Sequence, residues 1–283
     1  MSTVTEYELN QVTAANESGR VPAVFIHGLW LLASSWDPWK ALFEEVGFAP
    51  VAPQWPDDPA SVADANAHPE VFAHKSVGQI ADHLDEVIRT LTVKPVVVGH
   101  SFGGLLTQIV AGRGLSRASV AIDPAPFRGV LPLPLSALKA ASPVIGNPLN
   151  RGRSVPLTLK QFRFAFANAV TESEAKKLYD EFAVPGSGVP LFQAAFANIN
   201  PRTEAKVNWR TSTRGPLLII DGERDNTVPL NLARAAFKLQ KKNPGVTEFE
   251  VAPNRGHSLV IDSGWREVAQ TALTFLQRFS HST

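Results

Sequence analysis

The chain of 283 residues contains no cysteine. This absence excludes a disulfide framework, a thiolate zinc site, an iron–sulfur cluster and a cysteine nucleophile. An excess of charge of either sign is also lacking, because 27 Lys and Arg residues stand against 26 Asp and Glu residues and leave a net charge of +1. Without a basic excess to neutralise phosphates, we expect no nucleic-acid partner.

No apolar run approaches the roughly 18 residues that a membrane-spanning helix needs, so we expect no membrane span. Residues 1–10 are polar and acidic, which is typical of neither a signal peptide nor a transit peptide. We therefore expect a cytoplasmic protein, as a monomer or a homodimer. The histidines lack metal-ligand spacing and no phosphate-binding glycine loop is visible, so we expect no metal and no cofactor.

Short apolar runs alternate with longer helical patterns, which is typical of a largely parallel sheet flanked by helices. The apolar runs predict strands at residues 23–26, 48–52, 95–98, 119–122, 216–220 and 247–251. Helical periodicity predicts helices at about 36–46, 80–91, 102–111, 230–241 and 265–279, the second preceded by a capping box of Ser76 and Gln79. The predicted fold class is α/β.

Residues 124–214 break this alternation. The segment begins with seven of the 22 prolines before residue 157 and continues as helical stretches rich in phenylalanine, without a strand pattern. The simplest interpretation is a helical cap, or lid, inserted into one α/β core. The core then consists of residues 1–123 and 215–283.

The sequence Gly-His-Ser-Phe-Gly at residues 99–103 lies between a predicted buried strand and a predicted helix. This is the context of a nucleophile elbow, in which a sharp strand-to-helix turn lifts the central side chain clear of the sheet. The flanking glycines are required because a Cβ at either position would clash with the neighbouring strand or helix. We therefore predict that Ser101 is a nucleophile.

A serine hydroxyl is a weak nucleophile and needs a base. His257 lies between the last predicted strand and the last predicted helix, so it belongs to the sheet edge toward which the elbow points. We predict that His257 is this base.

The base in turn needs a carboxylate that fixes its tautomer. Asp225 follows the strand at 216–220 and a glycine turn, and it is the favoured candidate. Asp123 remains an alternative, because it directly follows the strand at 119–122 and could reach the same histidine from a neighbouring strand.

An oxyanion formed at the nucleophile needs two backbone donors. Phe102, the residue after the nucleophile, offers one N–H group, and Leu29, in the loop after the first strand, offers the other. Aromatic residues are concentrated beside this loop and in the insertion, which favours a pocket for an apolar or aromatic group. The candidate pocket residues are Trp30, His100, Phe162 and Phe166.

With Ser101, Asp225 and His257 in this chain order, the sequence resembles the α/β-hydrolase superfamily over nearly its whole length. His-Gly-Leu-Trp after the first strand, Gly-His-Ser-Phe-Gly-Gly, Gly-Glu-Arg-Asp-Asn-Thr-Val-Pro and Gly-His each lie where that superfamily places its motifs. The insertion lies where the superfamily has its cap. The resemblance implies an eight-stranded sheet, so we predict that the two strands not yet found form a hairpin at residues 5–12.

The resemblance implies a serine hydrolase that cleaves a carboxylic ester, thioester or lactone of an apolar or aromatic small molecule through an acyl-enzyme. Serine at the elbow argues against haloalkane dehalogenases and epoxide hydrolases, which carry aspartate there. The same triad occurs in cofactor-independent perhydrolases of the haloperoxidase type and in carbon–carbon bond hydrolases. It also occurs in plant hormone receptors that act by binding with little turnover, so these alternatives stay open.

Overall fold

The computed structural model describes residues 4–280. A parallel sheet forms the centre of the molecule. Its strands are β1 (Pro22–Ile26), β2 (Ala49–Val51), β3 (Val96–His100), β4 (Ala118–Ile122), β7 (Leu217–Gly222) and β8 (Thr247–Ala252). They lie in the order β2-β1-β3-β4-β7-β8, and every neighbouring pair is parallel. A separate antiparallel pair consists of β5 (Ser154–Val155) and β6 (Gly186–Ser187).

Helices connect these strands. They are α1 (Glu6–Glu17), α2 (Asp37–Glu45), α3 (Val62–Ala67), α4 (Val77–Arg89), α5 (Phe102–Gly112), α6 (Leu135–Ile145), α7 (Leu159–Ala165), α8 (Glu172–Phe182), α9 (Gly188–Ala195), α10 (Leu230–Gln240) and α11 (Trp265–Gln277). Short 3₁₀ helices occupy Ala33–Trp36, Pro69–Phe72 and Pro148–Gly152. Within residues 4–280, none of the helices has the length and apolar character needed to cross a membrane.

Both faces of the sheet are buried. In β1, Val24 and Ile26 pack into the cluster that contains α4 and α5, whereas Ala23 and Phe25 pack into the cluster that contains α2 and α11. Successive side chains of a strand point to opposite faces, so a sheet covered on both sides needs apolar residues at every position. This explains why β1, β3, β4 and β7 are largely apolar in the sequence, whereas the edge strand β8 carries two glutamates.

The predicted fold class is confirmed, since each of the six predicted strands is present with bounds that differ by at most two residues. The segment between β4 and β7 holds the helices α6 to α9. It also contains the short β5–β6 pair, which the sequence pattern did not predict. Two-residue strands are too short to leave a periodic signal.

The predicted hairpin at residues 5–12 was wrong, because this region begins the helix α1. Its N-terminus is a capping box, in which the Thr5 side chain accepts from the Glu8 N–H group and the Glu8 carboxylate accepts from the Thr5 N–H group. The buried Glu8 carboxylate also lies 2.8 Å from His83 Nε2 on α4. The missed signal was Thr-x-x-Glu, which specifies a helix start.

Candidate active site

Ser101 lies in the sharp turn between β3 and α5. Its backbone has φ 57° and ψ −120°, a strained conformation that residues other than glycine rarely adopt. The turn requires glycine on both sides, because a Cβ on Gly99 would overlap the Gly103 carbonyl and a Cβ on Gly103 would overlap the Ile26 carbonyl. The sequence therefore folds locally into the elbow that the Gly-x-Ser-x-Gly pattern predicts.

The structure brings Ser101, His257 and Asp225 together at the carboxyl edge of the sheet. His257 Nε2 lies 2.9 Å from Ser101 Oγ, and His257 Nδ1 lies 2.5 Å from Asp225 Oδ2. All three side chains are buried, with Ser101 5% exposed at the end of a pocket. This chain of hydrogen bonds can move a proton from the serine to the imidazole.

The Asp225 carboxylate is fixed by its own loop. Its Oδ1 accepts hydrogen bonds from the N–H groups of Thr227 at 2.6 Å and Val228 at 2.9 Å, which leaves Oδ2 for His257. A carboxylate accepts only, so His257 carries its proton on Nδ1 and offers the Nε2 lone pair to Ser101. The two loop donors were not predicted from the sequence, because they depend on how the loop turns.

Asp123, the alternative carboxylate, also lies beside His257. Its Oδ2 is 3.6 Å from His257 Nδ1, beyond hydrogen-bond distance, and its Oδ1 accepts from the Gly222 N–H group at 2.7 Å. Burial raises the pKa of Asp123 well above its ordinary value, and the nearby carboxylates of Asp225 and Asp221 raise it further. Asp225 is therefore the partner that contacts the imidazole, while burial and the neighbouring carboxylates favour the protonated form of Asp123.

The predicted oxyanion donors lie where the loop after β1 meets the elbow. A Cβ on Gly28 would lie 2.8 Å from Ser101 Cβ and 3.5 Å from the Phe102 nitrogen, so this loop touches the elbow directly. The N–H groups of Leu29 and Phe102 donate to no acceptor within residues 4–280. Phe102 is the first residue of α5, whose leading N–H groups have no partner within the helix. Both groups are thus free to bind a negatively charged oxygen.

A buried network of charged and polar side chains packs against the same loop. The His27 ring lies 2.9 Å from the Gly28 carbonyl through Nδ1 and 3.1 Å from Asp58 Oδ2 through Nε2. Asp58 Oδ1 in turn pairs with Lys75 Nζ at 2.8 Å, and the side chains of Asp58 and Lys75 are 1% and 6% exposed. His27 also stacks on Trp55, with ring centroids 4.9 Å apart. Sequence reasoning missed Asp58 and Lys75, because their pairing spans distant segments.

Asp58→Ala is expected to lower the free energy of unfolding by about 3–5 kcal/mol, because it leaves the buried Lys75 ammonium without its carboxylate. Urea denaturation of both proteins measures the difference. Asp180→Ala is the matched control, since it breaks the exposed pair of Lys176 and Asp180 and should change stability by about 0–1 kcal/mol. Equal stability losses in the two variants would contradict a stabilising role for the buried pair.

An apolar pocket opens from Ser101 toward the helices α6 and α9. Residues of α6 that face it recur at helical spacing, including Ala137, Ala141 and Ile145. Apart from Ser101, the polar side chains that line the pocket are those of Asn198 and Thr227, and within the described chain no charged side chain lines it. The pocket therefore fits an uncharged apolar group next to the serine.

Of the four predicted pocket residues, Trp30 lines this pocket, and the other three are buried, with His100 and Phe166 packed against His257. Phe166 packs edge-on against His257 with ring centroids 4.8 Å apart, and Phe162 stacks on Phe166 at 5.0 Å. The His100 ring lies 4.6 Å from that of His257, and burial lowers the pKa of His100 well below its ordinary value. His100 and Phe166 thus cover the imidazole, Phe162 supports Phe166, and none of the three forms the pocket wall.

Trp30 connects the loop after β1 to the insertion. Its backbone has φ 65°, and its indole N–H donates to the Val155 carbonyl at 2.9 Å. Its own carbonyl accepts from the Val184 N–H group at 3.1 Å. Both partners belong to the short β5–β6 region of the insertion. Two hydrogen bonds therefore connect this part of the insertion to the loop that carries Leu29.

A sequence profile of the alpha/beta hydrolase family matches residues 23–271. Comparison with curated protein sequences gives no match. Among solved structures, a monoacylglycerol lipase of Paleococcus ferrophilus is similar, with a TM-score of 0.65, 22% identity, and coverage of 92% of this chain and 95% of that chain. An extracellular alpha/beta-hydrolase from a Paenibacillus species has a TM-score of 0.64, 19% identity, and coverage of 90% and 98%. A pyrethroid hydrolase from Sphingobium faniae has a TM-score of 0.64, 16% identity, and coverage of 91% and 97%. At these identities the likeness is one of fold.

Proposed function

Because the chain belongs to the alpha/beta hydrolase family, we propose that it is a serine hydrolase that cleaves carboxylic esters of uncharged, apolar small molecules. The observation that carries this proposal is the continuous hydrogen-bonded chain from Ser101 through His257 to Asp225 at the end of an apolar pocket.

In the proposed reaction, Ser101 Oγ attacks the ester carbonyl carbon while its proton moves to His257 Nε2. The carbonyl oxygen becomes an oxyanion, which the N–H groups of Leu29 and Phe102 stabilise. The bond to the leaving alcohol then breaks, and His257 returns the proton to that oxygen. Water repeats the sequence on the acyl-enzyme and releases the acid, while Asp225 stabilises the imidazolium in both halves.

The substrate class follows from the pocket wall. An ionised acyl or alcohol group would lose its hydration there without finding an opposite charge, so charged substrates are disfavoured. We assign residues 124–214 as the cap that sets this preference, because α6 and α9 of that segment supply the wall facing Ser101.

The test is a panel of uncharged and anionic esters, thioesters, lactones and amides, assayed with the wild-type protein and with Ser101→Ala. The expected result is steady-state turnover of uncharged apolar esters by the wild type alone. Stoichiometric binding without turnover would favour a receptor. Turnover that Ser101→Ala retains would overturn the proposed chemistry.

Ala141→Phe is expected to shift the preference toward short acyl chains, because the added ring fills the pocket beside α6. We expect kcat/KM for the longest ester to fall about 10-fold to 100-fold, while the acetyl ester changes little. A chain-length series of esters provides the measurement. Ser142→Phe is the matched control, since Ser142 is exposed on the same helix and does not line the pocket. The same shift in both variants would show that α6 does not define the acyl site.

A further inference from the structure

Three carboxyl groups meet behind His257. Oxygens of Asp123, Asp221 and Asp225 lie within 4.8 Å of one another, and all three residues are buried. These groups come from the ends of two adjacent parallel strands, β4 and β7, and from the loop that follows β7. Only Asp225 is needed by the triad as described above, so the position of Asp123 beside His257 requires an explanation.

The hydrogen bonds of Asp123 indicate where a proton lies. Its Oδ1 accepts from the Gly222 N–H group, whereas its Oδ2 receives no donor from the described residues. A bare, fully buried carboxylate oxygen next to a second carboxylate would be strongly unfavourable. A proton on Oδ2 removes this conflict, because it turns Asp123 into a neutral donor beside Asp225 and Asp221, whose carboxyl oxygens lie within 4.8 Å. Burial and the neighbouring carboxylates, which raise the pKa of Asp123 well above its ordinary value, act in the same direction.

We propose that Asp123 is a positioning residue that donates a hydrogen bond to Asp225, and that it becomes the acceptor for His257 when the Asp225 carboxylate is removed. The inference rests on the proposed function and extends it. It places two carboxyl groups beside the imidazole, a protonated one on Asp123 and an ionised one on Asp225. Asp123 Oδ2 lies 3.6 Å from His257 Nδ1, so a movement of less than about 1 Å would bring it to hydrogen-bond distance.

The first test compares Asp123→Leu with Asp123→Asn. Asparagine keeps an acceptor for Gly222 and a donor for Asp225, so it imitates a protonated aspartate, whereas leucine offers neither. We expect Asp123→Leu to lower kcat about 10-fold to 100-fold with little change in KM, and Asp123→Asn to restore most of that loss. Equal kcat values for the two folded variants would overturn the donor role.

The second test removes Asp225. We expect Asp225→Ala to lower kcat about 10²-fold, because an ionised Asp123 replaces the lost carboxylate, and the double variant Asp225→Ala with Asp123→Asn to lower it about 10⁴-fold. Circular dichroism verifies that both variants fold. Equal losses in the single and double variants would overturn the replacement role.

A readout independent of turnover separates this inference from the proposed function. A carboxylate that accepts from an imidazole Nδ1–H group shifts that proton far downfield in ¹H NMR spectra. We expect this resonance to survive in Asp225→Ala and to disappear in the double variant, whether or not an ester is hydrolysed. If the resonance disappears already in the single variant Asp225→Ala, the inference is contradicted. If the wild-type protein shows the resonance but hydrolyses no ester, only the proposed function is contradicted.

Discussion

Ser101→Ala is expected to lower kcat for the preferred ester by about 10⁶-fold without unfolding the protein. The substitution removes the Oγ atom that accepts the acyl group, and His257 and Asp225 then have no nucleophile to activate. The three side chains are linked by consecutive hydrogen bonds, so the loss of the nucleophile removes the contribution of all three. Steady-state kinetics measure the loss, and thermal unfolding verifies the fold.

Covalent labelling distinguishes a missing nucleophile from a damaged site. An organophosphate should add one phosphoryl group to the wild-type protein at Ser101 and none to Ser101→Ala, as read by intact mass and peptide mapping. Ser258→Ala is a suitable control, because Ser258 is a buried serine beside His257 whose hydroxyl bonds to Asp262. An adduct on any other serine, or an unchanged adduct on Ser101→Ala, would refute the assignment of the nucleophile.

Asp225→Asn is expected to lower kcat by about 10⁴-fold. The Thr227 and Val228 N–H groups need an acceptor at the Oδ1 position, so the amide oxygen must stay there and the amide nitrogen must face His257. A donor at that place holds the imidazole in the tautomer with its proton on Nε2. This tautomer cannot accept the Ser101 proton, and the serine loses its base.

Stopped-flow and steady-state assays of the folded Asp225→Asn variant measure the loss in kcat. Glu223→Gln, an exposed change in the same loop, is the matched control and should leave kcat within about threefold. Because alanine presents no donor to the imidazole, Asp225→Asn should be more damaging than Asp225→Ala, although asparagine is the closer analogue in shape. An Asp225→Asn variant that keeps a tenth of the wild-type kcat would mean that another group orients His257.

The sequence was most informative where one local pattern determines the structure. The central strands could be predicted because a sheet covered on both faces favours apolar runs. Ser101 could be placed because its turn leaves no room for a Cβ on Gly99 or Gly103. His257 and Asp225 followed from their positions after strands, since parallel strands end at one common edge. The resemblance implied two strands at residues 5–12, whereas the local Thr-x-x-Glu pattern specifies the start of α1 there.

Contacts between distant segments could not be predicted in this way. Nothing near Asp58 or Lys75 in the sequence indicates that these charges pair beneath the loop of His27. The two carboxyl candidates were both identified, but their different roles depend on distances of 2.5 Å and 3.6 Å to one imidazole nitrogen. The aromatic residues of the insertion were visible, whereas the face that each ring presents is decided by packing.

The attachment of Trp30 to Val155 and Val184 has a consequence for protein engineering. Exchanging residues 124–214 as a module would remove both hydrogen-bond partners from a tryptophan whose left-handed backbone depends on its surroundings. A chimaera that keeps residues 154–155 and 184–187 and replaces only the α6 region should retain the loop geometry beside the nucleophile. Chimaeras designed for a new substrate selectivity should therefore be joined inside the insertion rather than at its ends.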